Sequence, residues 1–101
     1  MHPFGIAITY SYDGDEALWT NLCEGFVRAV DDDAEISGRF SYAVQRGKDG
    51  ASRVHVGRWN TPDTLAKLQS RDYFRTFSQA LKELAGETLK TQPFAVTHST
   101  R

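Results

Sequence analysis

Residues 38–59 read GRFSYAVQRGKDGASRVHVGRW, and this stretch decides the fold. Before its centre, Phe40, Tyr42 and Val44 alternate with Arg39, Ser41, Ala43 and Gln45. After its centre, Val54 and Val56 share one face, and His55, Gly57 and Trp59 share the other. This period of two is typical of a β-strand. The pair Asp49-Gly50 interrupts the alternation with the signature of a hairpin turn. We therefore predict two antiparallel strands, over 38–47 and 52–60.

The same alternation marks a strand at each end of the chain. Residues 4–12, FGIAITYSY, alternate bulky with small side chains for nine positions, and 92–99 form a shorter segment of the same kind. The bulky set and the small set of the first segment lie on opposite faces of a strand. Since the small set carries no charge, we expect both faces of this strand to be covered.

Two helices are predicted between these strands, over 14–30 and 62–86, from apolar residues at helical spacing. Asp13 or Asp15 is a suitable N-cap for the first helix, and Thr61 caps the second with proline at its first position. The second helix has a possible bend near Ser70-Arg71-Asp72, and its apolar stripe predicts two core residues. These core residues are Phe77 and Leu81.

The element order is then β-α-β-β-α-β within a single domain, 1–101. Right-handed crossovers and one hairpin turn this order into an α+β, ferredoxin-like fold: a four-stranded antiparallel sheet with both helices on one face. Two helices cover one sheet face only, and neither strand face is strongly polar. We therefore expect a second copy of the chain to cover the other face, as a homodimer.

Composition excludes several classes of partner. The 101 residues carry 12 basic and 13 acidic side chains, so the charge of −1 gives no basic surface for nucleic acid. No apolar run of about 18 residues is present, so no membrane span is expected. The single cysteine, Cys23, rules out an internal disulfide and favours a cytoplasmic protein. No metal motif is found, and Asp31-Asp32-Asp33 is interpreted as a solvated loop.

Three segments of the sequence resemble one known family. Gly38 to Tyr42 is similar to the opening of that family's second strand, and Val54 to Asn60, containing Trp59, is similar to its third strand. The run 65–70, followed by Tyr73-Phe74, is similar to its second helix. On these segments the chain resembles the dimeric α+β barrel proteins of the antibiotic-biosynthesis-monooxygenase (ABM) type.

The resemblance implies a function and the place of a site. It implies a small cofactor-independent monooxygenase that acts on an aromatic or polyketide-like molecule, with the substrate supplying the electrons. It also implies a ligand pocket between the sheet and the helices. The chain departs from the family at Lys67, where members often have a histidine. No histidine lies on either predicted helix, so haem binding is not expected.

Five residues are candidates for binding the ligand, and each has a structural alternative. His55 is a general base or simply a hydrogen-bonded histidine, because strand parity leaves open which sheet face carries it. Lys67 either points at an anionic ligand or is solvated, and the aromatic candidates either contact the ligand or belong to the core. The full set of candidates is Tyr42, His55, Trp59, Lys67 and Tyr73.

A second function class stays open beside the enzyme. The chain is also compatible with a non-catalytic, small-ligand-binding or stress-associated dimer. The two hypotheses predict different interiors: the enzyme needs a cavity with convergent polar groups such as Tyr42, His55 and Lys67, whereas the binding protein has a filled core there.

Overall fold

The computed structural model describes residues 2–100 and shows the predicted α+β, ferredoxin-like architecture. An antiparallel sheet of four strands, in the order β2-β3-β1-β4, carries the helices on one face. The elements in chain order are β1 (Phe4–Ser11), α1 (Glu16–Asp32), β2 (Phe40–Arg46), β3 (Ser52–Trp59), α2 (Pro62–Gln69), α3 (Asp72–Ala85), a 3₁₀ turn (Gly86–Thr88) and β4 (Lys90–Ala95).

The first helix begins where its cap predicts and ends two residues later than expected. The Asp15 carboxylate accepts hydrogen bonds from the backbone N–H groups of Ala17 and Leu18, which are otherwise unpaired. The helix continues past Val30 to Asp32, so the expectation that Asp31 and Asp32 belong to a loop was wrong. Both side chains are exposed, where water weakens the unfavourable interaction of a carboxylate with the helix dipole.

The predicted second helix is two helices. Thr61 caps α2 and proline occupies its first position, as predicted, but α2 ends at Gln69. The Ser70 hydroxyl bonds back to the carbonyl of Lys67, and α3 starts after Arg71. The bend predicted at this point is therefore a complete break, which lets α3 take its own direction across the sheet.

The last strand is shifted toward the N-terminus relative to the prediction of 92–99. β4 spans Lys90–Ala95 because its only partner strand is β1, and Phe4, the first residue of β1, pairs with Ala95. One further hydrogen bond, from the Val96 N–H to the Pro3 carbonyl at 2.8 Å, extends the pairing. His98 lies beyond this strand, which contradicts its predicted place in the alternation.

Strand register decides which side chains face the helices. Tyr10 is opposite Arg53 and Ile8 is opposite His55, so the bulky set of β1 shares a face with His55. Val54 and Val56 lie on the other face, which the helices leave open. The alternation along the sequence could not make this assignment. It shows which residues of a strand share a face, but not which of the two faces the helices cover.

The core between sheet and helices is closely filled by aromatic rings. Phe26 of α1 stacks on Phe77 of α3 at 4.2 Å between ring centroids, and Tyr42 meets the edge of Phe26 at 4.9 Å. Phe77 and Leu81 are buried, as predicted from the helical stripe. Among the described residues, no helix is long and apolar enough to cross a membrane.

Candidate functional site

Four polar side chains form a continuous hydrogen-bonded chain at the sheet–helix interface. The Trp19 indole N–H of α1 donates to the Tyr10 hydroxyl of β1 at 2.7 Å. The Tyr10 hydroxyl lies 2.7 Å from His55 Nε2 on β3, and His55 Nδ1 lies 2.7 Å from the Tyr42 hydroxyl on β2. We call this set (Trp19, Tyr10, His55, Tyr42) the phenol–imidazole chain.

The donors of this chain point in one favoured direction. An indole N–H only donates, so the Tyr10 oxygen accepts from Trp19 and its own proton is free to go to His55 Nε2. A neutral imidazole then carries its proton on Nδ1 and donates to the Tyr42 oxygen. Either direction leaves one phenol proton without a protein acceptor. That proton belongs to Tyr10 in the opposite direction, at a side chain only 5% exposed, whereas Tyr42 is half-buried and borders a surface hollow, where the cost is smaller. The favoured direction leaves the Tyr42 proton for another acceptor.

Burial keeps the chain neutral. His55 has no solvent exposure, and this desolvation lowers its pKa to about 4 because the charged imidazolium is disfavoured. Burial likewise raises the pKa of Tyr10 to about 12 and that of Tyr42 above its usual range. At neutral pH the phenol–imidazole chain is therefore an uncharged series of hydrogen bonds, in which each bond polarises the next.

Tyr42 connects this chain to a hollow at the protein surface, between α1 and β2. The hollow has a volume of about 400 Å³, and its lining is largely apolar, with one acidic side chain, Glu24. Burial raises the pKa of the Cys23 thiol to about 11, so this side chain is a neutral thiol and not a nucleophilic thiolate. We call this surface cavity the α1–β2 hollow. Its lining residues are Trp19, Thr20, Cys23, Glu24, Val27, Tyr42 and Val44.

The arrangement suits one kind of ligand chemistry. An indole ring and aliphatic side chains offer apolar contact for a ring system, and a phenolic hydroxyl offers a hydrogen bond to an acceptor oxygen. Because Tyr42 is backed by His55, its proton is directed away from the imidazole. The site can thus hold a carbonyl or phenolate oxygen and stabilise negative charge on it.

The five predicted site residues do not line one pocket. Tyr42 and His55 lie together in the phenol–imidazole chain. Trp59 is at the end of β3, 6.3 Å from the Phe40 ring centroid, where it packs against the core. Tyr73 donates its hydroxyl to the Asp33 carboxylate at 2.7 Å.

Lys67 lies apart from the imidazole for a geometric reason. Its side chain is 52% exposed and forms an ion pair with Glu35 at 3.2 Å. Thr64 and Leu68 are the buried residues of α2, and Lys67, on the same short helix, is turned outward from that face. Lys67 borders a separate, solvated hollow with Arg39 at the start of α2.

Sequence reasoning missed two members of the chain, Trp19 and Tyr10. The sequence offers Tyr10 only as one of several phenols able to bind a ligand, and Trp19 only as a residue beside the apolar stripe of the first helix. The contact between them joins a helix to a strand. A partial signal existed, because the period of two assigns Tyr10 and His55 each to one face of its own strand. Pairing these strands in the observed register brings the two side chains together.

No cluster of three or more histidine, cysteine, aspartate or glutamate side chains is placed to hold a metal ion within residues 2–100. The four-membered chain itself offers one imidazole whose two nitrogens are both engaged by phenols. A metal or haem iron would have to displace one of these hydrogen bonds to reach His55.

Comparison with known proteins places the fold. No family sequence profile and no curated protein sequence matches this chain. Among solved structures, it is similar to Rv0793 from Mycobacterium tuberculosis, with a TM-score of 0.78, 15% identity and coverage of 98% of this chain and 99% of the other. The chain is also similar to a variant of SnoaB, described as a cofactor-independent oxygenase from Streptomyces nogalater. The TM-score is 0.79 at 15% identity, and the match covers 98% of this chain and 97% of the other.

A third structure, described as an antibiotic biosynthesis monooxygenase, gives a TM-score of 0.71 at 10% identity and covers 94% of this chain and 99% of its own. At such low identities, these likenesses establish the fold and no more. The chain has the ABM-type fold that its sequence segments resemble.

Proposed function

We propose that this protein is a cofactor-independent monooxygenase acting on an aromatic or polyketide-like small molecule held in the α1–β2 hollow. The observation that carries the proposal is the phenol–imidazole chain, which ends on Tyr42 with a hydroxyl proton to spare. A hydroxyl oriented in this way stabilises negative charge that develops on a ligand oxygen during reaction. SnoaB, whose fold this chain shares, is described as a cofactor-independent oxygenase, which supports the same reaction class.

The reaction needs no external reductant if the substrate has an acidic ring CH₂ conjugated to a carbonyl. Loss of one proton gives an enolate whose charge rests on the carbonyl oxygen, where Tyr42 donates a hydrogen bond. Glu24, a residue that lines the same hollow and whose carboxylate is paired with Arg28, accepts that proton.

The carbanion then gives two electrons to O₂ and forms a C–O bond, and protonation yields a hydroperoxide. Loss of water from this hydroperoxide leaves a ketone, so one oxygen atom stays on carbon and the other leaves as water.

A second candidate function is non-catalytic binding of a small apolar ligand. Close packing of Phe26, Phe77 and Tyr42 around His55 favours it, since a filled core was the expected mark of a binding protein. The low pKa of His55 also makes it a weak base, so the imidazole would orient Tyr42 and not remove protons. Under this candidate the hollow binds the same class of molecule without turnover.

We also propose that the chain is a homodimer through its open sheet face. Val54 and Val56 lie on this face at the centre of β3, and no helix covers them. Sedimentation should give a mass near twice the 11.3 kDa of one chain. Val56→Glu should shift the mass toward the monomer, with Thr76→Glu, an exposed position on α3 on the opposite side of the sheet, as the control. A single-chain mass for the unmodified protein would contradict the proposal.

Oxygen uptake and ligand binding test the function together. Tricyclic aromatic ketones with an acidic ring CH₂ are supplied without flavin, haem or metal. Tyr42→Phe should lower kcat by about 10²–10³-fold, as does loss of one oxyanion donor elsewhere. Tyr73→Phe is the matched control, because it removes a phenolic hydroxyl that is bound to Asp33 and lies away from the hollow.

The outcomes separate the two candidates. Turnover that falls in Tyr42→Phe and persists in Tyr73→Phe supports the monooxygenase. Saturable binding without oxygen uptake supports the binding protein. Equal behaviour of both variants would remove Tyr42 from the site.

A further inference from the structure

Arg53 on β3 is a buried cation that the proposed reaction does not use. Its side chain is 1% exposed and its Nη2 bonds both carboxylate oxygens of Glu16, at 2.9 and 3.0 Å. The same nitrogen donates to the backbone carbonyls of Tyr12 and Gly50, and Nε donates to that of Ala51. These contacts fix the plane of the guanidinium on the side of the sheet that faces α1.

The guanidinium lies against an aromatic ring on which the phenol–imidazole chain depends. Its central carbon is 4.3 Å from the centroid of the Trp19 ring, and 5.4 Å from that of Tyr12. A planar cation at this distance attracts the face of an indole, the best aromatic partner for it. Arg53 therefore holds one face of the Trp19 ring in place, and the N–H at the edge of that ring donates to Tyr10.

We propose that Arg53 is a positioning residue that selects the tautomer of His55. By holding the Trp19 indole in place, it keeps the N–H donating to Tyr10, so the Tyr10 proton goes to His55 Nε2. His55 then carries its proton on Nδ1, and Tyr42 is left as a donor toward the α1–β2 hollow.

One unpartnered atom strengthens this assignment. Arg53 Nη1 is buried and has no hydrogen-bond partner. A buried charged donor without a partner is costly unless something else compensates it, and the faces of Trp19 and Tyr12 are the groups in position to do so. Movement of the indole off the guanidinium would remove that compensation, so Arg53 and Trp19 hold each other.

The choice of tautomer is independent of any ligand, while its consequence for binding rests on the proposed function. If Trp19 no longer donates, the Tyr10 proton can turn to the side that the indole N–H leaves. Tyr10 can then accept from His55 Nε2, and Tyr42 can turn its proton onto Nδ1. The hollow then loses its donor. This link makes Arg53 act through Trp19, without touching a ligand.

Nitrogen-15 NMR of the imidazole reads the tautomer directly in the ligand-free protein. His55→Gln identifies the His55 signals among those of the histidines, and Trp59→Phe identifies the Trp19 indole N–H. The test compares Trp19→Phe, Arg53→Met and Arg53→Lys with Arg46→Met. Arg46 is the matched control, because it also pairs with Glu16, at 2.8 Å, but is exposed.

The expected result is protonated Nδ1 and bare Nε2 in the unmodified protein and in Arg46→Met. Trp19→Phe and Arg53→Met should move the signals toward a mixture of tautomers, and exchange of the Trp19 indole proton with solvent should rise at least tenfold in Arg53→Met. Arg53→Lys keeps the charge opposite Glu16 but not the flat stack, so it should fold and show an intermediate shift.

Two results would overturn the proposal. One is protonated Nε2 in the unmodified protein. The other is an unchanged tautomer in Arg53→Lys and Arg53→Met while Trp19→Phe alters it, which would mean that Trp19 needs no help from Arg53. Neither of these two NMR results depends on oxygen uptake. Failure of the enzyme assay and failure of this proposal are therefore distinguishable.

Discussion

Acid should destabilise this protein mainly through His55 between about pH 7 and about pH 5. In the unfolded chain a histidine takes up its proton below about pH 6.5, whereas buried His55 does so only below about 4. Between these values the unfolded state binds more protons than the folded state, so the free energy of unfolding rises with pH. The contribution of His55 is fully present above about pH 6.5 and is lost as the pH falls toward 4.

The size of the effect follows from that interval. At about 1.4 kcal/mol for each pH unit, the gap between 6.5 and about 4 amounts to about 3.5 kcal/mol. Near pH 5 the slope should be about 1.2 kcal/mol per pH unit. Glu16 and Glu35 also have lowered pKa values, as do Asp33 and Asp49 at about 2 each. Their contribution is lost as the pH falls below the ordinary carboxyl values of 4.5 and 3.8.

Urea unfolding of the unmodified protein and of His55→Gln, followed between about pH 7 and pH 5, measures this slope. Glutamine can donate to one phenol and accept from the other, so it keeps the pairing of Tyr10 and Tyr42 without titrating. The variant should be less stable at neutral pH but nearly flat over this interval. An equal slope in both proteins would refute the inference that His55 is buried as the neutral imidazole.

Further predictions concern the core, the surface and haem. Phe77→Ala and Leu81→Ala should each lower the free energy of unfolding by roughly 2–5 kcal/mol in denaturant melts, since both side chains are buried; a loss below about 0.5 kcal/mol would mean that they do not carry the core. Tyr73→Phe should cost about 1.5–3 kcal/mol, the net value of a hydrogen bond to a carboxylate, and an unchanged midpoint would show that water replaces it. Lys67→Ala should change stability by less than about 0.5 kcal/mol, because its ion pair is exposed. Haemin should give no sharp one-to-one Soret shift, and a tight complex would contradict this.

Much of the fold could be read from local pattern. The change from period two to period 3.6 and back fixed the order of elements, because each period is a property of neighbouring residues. Caps were equally local: Asp15 and Thr61 each bond to backbone N–H groups two or three residues ahead. Element ends were less accurate where a distant partner sets them, as β1 does for β4.

The candidate site was predicted only in part. His55 and Tyr42 were named because their side chains can carry such chemistry, but Lys67 was grouped with them from its place on a predicted helix. The break at Ser70 and the outward turn of the short helix α2 separate it from the imidazole. No local signal distinguishes a lysine that points inward from one that pairs with Glu35.

The sequence by itself determined the elements, their order and two core residues, since these depend on spacing along the chain. Only the tertiary structure decided which sheet face carries His55. Strand parity tells which residues share a face, while the packing of α1 and α3 chooses the face that is buried. The contacts of His55 with Tyr10 and Tyr42 span 45 and 13 residues, and the stacking of Arg53 on Trp19 joins a strand to a helix. These groups meet only when β1, β2, β3 and α1 pack together, and that packing creates the site.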